Sequence, residues 1–83
     1  MVYHLILTER ARASLKSMSP DVARRIVRKI ERMRNDLAGD VKRLTNFEPA
    51  YRLRVGDWRV LFDVARWTIV VQDVKHRSRV YDA

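Results

Sequence analysis

The chain has 83 residues and a mass of 9.9 kDa, a size that predicts one domain over residues 1–83 with a single small core. With 47% hydrophobic and 34% charged residues it is no disordered tail, and no apolar run reaches the roughly 18 residues of a membrane span. Cysteine is absent, which excludes a disulfide scaffold, a thiol nucleophile and Cys-ligated zinc.

Eighteen Lys and Arg against ten Asp and Glu leave a formal charge of +8, and fourteen of the eighteen are arginine. Arginine offers a planar fork that grips phosphate in a bidentate way. Such a balance suits nucleic acid, an anionic membrane surface or an acidic protein partner, with an arginine-rich solvated surface as the plain alternative. The start of the chain, Met1-Val2-Tyr3-His4-Leu5-Ile6-Leu7, carries no basic leader and no small-residue cleavage site, so a soluble cytoplasmic protein is expected.

Residues 2–7 are rich in branched and aromatic types and predict a first strand. Thr8 then stands as a helix N-cap, with Glu9 at the positive end of the dipole and Ala11, Leu15 and Met18 at helical spacing. Ser19-Pro20-Asp21 starts a second helix, whose apolar stripe runs through Ala23, Ile26, Val27, Ile30, Met33 and Leu37 to a stop at Gly39. Arg24, Arg25, Arg28, Lys29, Arg32 and Arg34 fill most of its remaining surface. That stripe reads as the half covering a sheet rather than as a membrane-surface helix.

Residues 40–50 read as a loop, after which the period changes from 3.6 to 2. Strands are expected over 51–55, 58–64 and 67–74, joined by a tight turn at Gly56-Asp57 and another at Ala65-Arg66, before a basic tail over 75–83. The order β-α-α-β-β-β implies an α+β domain, a helical hairpin packed on one face of a small, mainly antiparallel sheet.

A two-residue loop at Gly56-Asp57 sets Val55 opposite Trp58, Leu53 opposite Val60 and Tyr51 opposite Phe62, all on the core side. Arg52, Arg54 and Arg59 then share the other side, with Arg54 directly across from Arg59 and, carrying the register onward, Gln72 beside Arg59. Like charges facing each other destabilise a ladder, so a shallow cationic surface that binds an anion is expected. The alternative is a solvated face with arginine stems packed flat. In the tail, His76 could shuttle a proton, and Tyr81 could stack on a base or transfer a proton through its phenol.

The segment Tyr51-Arg52-Leu53-Arg54-Val55-Gly56-Asp57-Trp58-Arg59-Val60-Leu61-Phe62, followed by Val74-Lys75-His76-Arg77-Ser78-Arg79-Val80-Tyr81, resembles the RelE/ParE superfamily of type II toxin–antitoxin toxins, in its RelE-like branch. The resemblance implies a toxin that acts as a ribosome-dependent endoribonuclease, cutting mRNA and inhibiting translation. ParE-like members share the fold but inhibit DNA gyrase without nuclease activity, and a non-catalytic nucleic-acid-binding module is a further alternative. It also implies a cognate antitoxin, the ribosome and mRNA as partners, with no membrane and no cofactor or metal.

Carried across by motif, the catalytic candidates are Arg59, Arg77, Tyr81 and His76 and the RNA-binding candidates Arg52 and Arg54, joined as further RNA-binding candidates by Lys42 and Arg43 of the loop and Arg79 of the tail. Arginine at 52 and 54, where some relatives have lysine, stays charged and cannot exchange a proton. Metal-free RNA cleavage uses the neighbouring 2′-OH as nucleophile. It needs a base for that hydroxyl, cations for the charge growing on phosphorus and an acid for the departing 5′ oxygen. Arg59 and Arg77 suit the charge, and Tyr81 or His76 the proton transfers, with Glu48 a spare carboxylate in the preceding loop.

Overall fold

A computed structural model describes residues 1–80. The element order is β1 (His4–Leu7), α1 (Glu9–Lys16), α2 (Pro20–Arg32), β2 (Asp40–Arg43), β3 (Tyr51–Val55), β4 (Trp58–Ala65) and β5 (Thr68–His76), closed by a 3-10 turn over Arg77–Arg79. The strands form one sheet in the order β1-β5-β4-β3-β2. β1 runs parallel to β5, and the other pairings are antiparallel. This is the expected α+β arrangement with one strand more than the sequence suggested.

Local chemistry sets the helix starts. Thr8 Oγ1 accepts the Ala11 N–H at 3.2 Å and donates to the Gln72 carbonyl at 2.9 Å, so one side chain both caps α1 and pins it to β5. Pro20 opens α2, where its missing N–H costs nothing. α2 ends at Arg32, well before the glycine expected to stop it. The chain tightens there, with the Met33, Arg34 and Asn35 amides donating three residues back, and Asp36 and Leu37 take positive φ. The reason lies in the segment just before β1: the Tyr3 amide donates to the Arg34 carbonyl at 2.8 Å and Arg34 Nε returns to the Tyr3 carbonyl at 3.1 Å. Gly39 serves the entry to β2, at φ 124, where a Cβ would lie 2.9 Å from Leu53 Cδ1.

Ile26, Ile30 and Met33 pack over Leu53, Val60, Phe62, Ile69, Val71 and Val74, each of them 3% exposed or less. Phe62 stacks on Tyr51 at 5.4 Å and 20°. The β3–β4 register is the expected one, Tyr51 with Phe62, Leu53 with Val60, Arg54 with Arg59 and Val55 with Trp58.

Beyond that hairpin the register differs from the sequence reading in two ways. The second turn falls on Arg66-Trp67, both at positive φ, and β5 extends through His76 into what read as a tail. Gln72 is then an extra residue: Phe62 pairs with Val71 but Leu61 pairs with Asp73. The bulge puts Val71 and Val74, three positions apart, both on the core side. Lys75, not Gln72, therefore sits across from Arg59.

Candidate functional site

The sheet face turned away from the helices carries two adjacent cross-strand rows. One reads Asp40, Arg54, Arg59, Lys75 from β2 to β5, and the next reads Lys42, Arg52, Leu61, Asp73. Strand neighbours on one face lie roughly 5 Å apart, so Arg54, Arg59 and Lys75 form a continuous cationic line across three strands.

These cations are not equivalent. Arg54 is exposed, whereas Arg52 and Arg59 are only 9% and 7% exposed, which departs from the alternative of a solvated face with all three arginine heads in water. Arg52 Nη1 donates to the Asp40 carbonyl at 2.9 Å and lies 3.3 Å from Asp40 Oδ1. Arg59 Nη1 donates to the carbonyls of Gly56 at 2.9 Å and Trp58 at 3.1 Å. Directing one head into the turn relieves the Arg54–Arg59 repulsion and fixes that guanidinium in place.

The rest of the face is covered from two sides. Residues 44–50 fold over Leu61, held by the Leu44 amide on the Ala50 carbonyl at 2.7 Å and the Ala50 amide on Asp63 Oδ1 at 2.9 Å. Val80 and Arg79 approach from the other side, leaving a niche of about 160 Å³ shared with Phe47, Glu48 and Lys75. Above the bulge lies a larger cleft of about 490 Å³, lined by Thr8, Arg10, Glu48, Pro49, Leu61, Asp63, Gln72, Asp73 and Lys75.

The remaining sequence candidates scatter. Lys42 joins the outer face, but Arg43 lies on the helix-facing side, its guanidinium 5.8 Å from the Tyr51 ring centroid, because β2 turned out to be a strand with alternating sides. His76 pairs with Trp58 and meets its ring edge-on at 5.4 Å, again on the helix-facing side. Its Nδ1 accepts the Ser78 N–H at 3.3 Å and caps the 3-10 turn, so it is not brought to Arg59. Arg77 is exposed at the hairpin tip, its amide donating to the Asp57 carbonyl at 2.7 Å and its Nε 3.7 Å from Asp57 Oδ1. Tyr81 lies outside the described residues. Among the described residues no helix is long and apolar enough to cross a membrane.

A family model described as the ParE toxin of type II toxin–antitoxin systems, parDE, matches residues 5–81. The chain belongs to this toxin family. Toxin RelE3 of Methanocaldococcus jannaschii is 40% identical over 48 residues, 58% of this chain, and the match spans 54% of that relative's length. Among solved structures, the RelBE2 toxin–antitoxin complex of Mycobacterium tuberculosis aligns with a TM-score of 0.78 at 26% identity, over 94% of both chains. The RelB–RelE complex of Methanococcus jannaschii aligns at 0.72 and 27% identity, over 88% of this chain and 91% of that one. The RelE–RelB complex of Pyrococcus horikoshii shares the fold, with a TM-score of 0.77 at 24% identity over 96% and 100%. The protein is a toxin of the RelE/ParE superfamily.

Two basic residues of the toxin's cationic face and the adjoining cleft lie outside the sequence candidates. Lys75 ends the row of Arg54 and Arg59, and Arg10 reaches the cleft from the first turn of α1. A signal for Lys75 was available: apolar residues at 69, 71 and 74 break the two-residue period by one, which marks a bulge and shifts the register behind it. Arg10 had no comparable signal, since α1 meets β5 only in the tertiary structure.

Proposed function

We propose that this toxin is an endoribonuclease, an mRNA interferase that acts on ribosome-bound mRNA in the cytoplasm and inhibits translation. The observation that carries the reading is the row of Arg54, Arg59 and Lys75 across three adjacent strands, with exposed Arg77 two residues beyond Lys75 at the hairpin tip. A row of fixed cations suits an RNA backbone and the charge that grows on phosphorus as the 2′-OH attacks and the bond to the 5′ oxygen breaks. Arg59, tied to the Gly56 and Trp58 carbonyls, is held in place before substrate arrives. Arg54 and Lys75 flank it as phosphate contacts, and Arg77 stabilises the transition state. His76, packed on Trp58 and capping the turn, is assigned to orienting Arg77 and Arg79, which leaves proton transfer to Tyr81. The ribosome supplies substrate positioning that so small a site lacks. The neutralising partner is a cognate antitoxin, as in the complexes formed by the structural neighbours, and it covers the arginine face.

The test is a translation reaction with a defined mRNA, mapped by primer extension, beside the same mRNA without ribosomes and an Arg77→Ala variant. Cuts confined to the ribosome-containing reaction, and reduced about 10²-fold or more in the variant, are expected. Intact mRNA throughout overturns the reading. The match to the ParE toxin model favours a second one, inhibition of DNA gyrase, for which a supercoiling assay is then decisive.

A further inference from the structure

Consecutive residues of a regular strand point to opposite faces, and Gln72 and Asp73 line one cleft at the point where β5 bulges. The carboxylate so placed is fixed in advance. Asp73 is 9% exposed, and its Oδ1 accepts the Ser14 hydroxyl at 2.6 Å and the Val74 N–H at 2.8 Å. Its Oδ2 accepts no hydrogen bond from the described residues. Since no fully buried side-chain oxygen or nitrogen among them lacks a partner, Oδ2 keeps some contact with solvent. Leu61 and Pro49 give the cleft an apolar wall, and Lys75 belongs both to it and to the cationic row.

We propose that this cleft is a nucleobase subsite, and that Asp73 selects a base bearing an amino group over uracil. The inference rests on the RNA reading above. A phosphate is repelled by a fixed carboxylate, so the ligand here is the part of a nucleotide that donates hydrogen bonds. Adenine, cytosine and guanine each carry an exocyclic amino donor, whereas uracil sets carbonyl oxygens on both sides of its ring N–H. A carbonyl against Asp73 Oδ2 leaves two acceptors facing each other in a half-enclosed site. The apolar wall packs against the base, and Lys75 holds its phosphate on the row.

The test is equilibrium binding by fluorescence anisotropy at low salt, with 5′-fluorescein 2′-O-methyl RNA hexamers that cannot be cut. One hexamer is all uridine, and three others carry adenine, cytosine or guanine at the third position. Wild type binds the three substituted hexamers about tenfold more tightly than the uridine hexamer, the scale of one charge-assisted hydrogen bond. Asp73→Asn keeps the Oδ1 acceptor for Ser14 and Val74 but turns Oδ2 into a donor, so the preference disappears or reverses while the melting transition persists. Equal wild-type affinities overturn the subsite and leave the RNA reading standing. A preference that survives in Asp73→Asn overturns the assignment to Asp73. Absence of binding to every hexamer overturns the subsite, while the RNA reading is decided separately by the ribosome-containing cleavage reaction.

Discussion

The two faces of the sheet are made by the same strands under the same alternation, yet they solve opposite problems. On the helix-facing side Leu53, Val60, Phe62, Val71 and Val74 lose nearly all contact with water, and stability there scales with apolar area removed. On the outer side Arg52, Arg54, Arg59 and Lys75 crowd like charges into adjacent positions, which a ladder resists. The outer face is tolerated because some of its charge is absorbed locally, by Asp40 for Arg52 and by turn carbonyls for Arg59. Arg54 remains exposed. The contrast teaches that strands can carry a crowded cationic face when most of their stability is supplied from behind.

The comparison can be broken most forcefully from the core. Phe62→Ala, at a fully buried position stacked on Tyr51, is expected to cost about 3–5 kcal/mol in urea or thermal unfolding. A smaller loss would mean that the core face is not the main source of stability. Arg52→Ala is expected to cost about 1–3 kcal/mol, since it removes a buried, hydrogen-bonded guanidinium that ties β3 to β2. A neutral result would return Arg52 to the solvated side of the ledger. Ser14→Ala removes one donor to Asp73 and should lower stability by about 1 kcal/mol, read from the same unfolding curves. Arg54→Ala should leave stability within about 0.5 kcal/mol. On the proposed RNA reading its effect falls on binding instead, where the slope of log affinity against log salt is expected to fall by about 0.7 for one lost single-strand phosphate contact. Should Arg54→Ala unfold the protein as readily as Arg52→Ala, the division between bracing and binding arginines would fail.

The proposed roles of the late residues follow the same division. His76 looked equivalent to Tyr81 in the sequence, both close to Arg77 and both able to move a proton. In the fold it belongs to the helix-facing side, against Trp58, where its ring nitrogen closes the 3-10 turn. Arg43 made the same crossing once β2 formed, exchanging a phosphate for the Tyr51 ring.

What the amino-acid sequence determined by itself was whatever depends on neighbours within a few positions. The Gly56-Asp57 turn set the β3–β4 register, because glycine takes positive φ without a Cβ penalty and strict alternation allows one buried side. The Thr8 cap and the Ile26–Ile30–Met33 stripe were legible for the same reason. The superfamily was legible because its two motifs lie on these locally specified segments. Only the tertiary structure decided the rest. β2 carries a single apolar residue, Val41, and is a strand because the β3 edge offers it a ladder. α2 stops at Arg32 because Tyr3 needs the Arg34 carbonyl. The bulge at Gln72 exists because Val71 and Val74 must both reach the core. That one inserted residue turns Asp73 and Lys75 outward, beside arginines about twenty positions away in sequence, a separation over which no local pattern carries information.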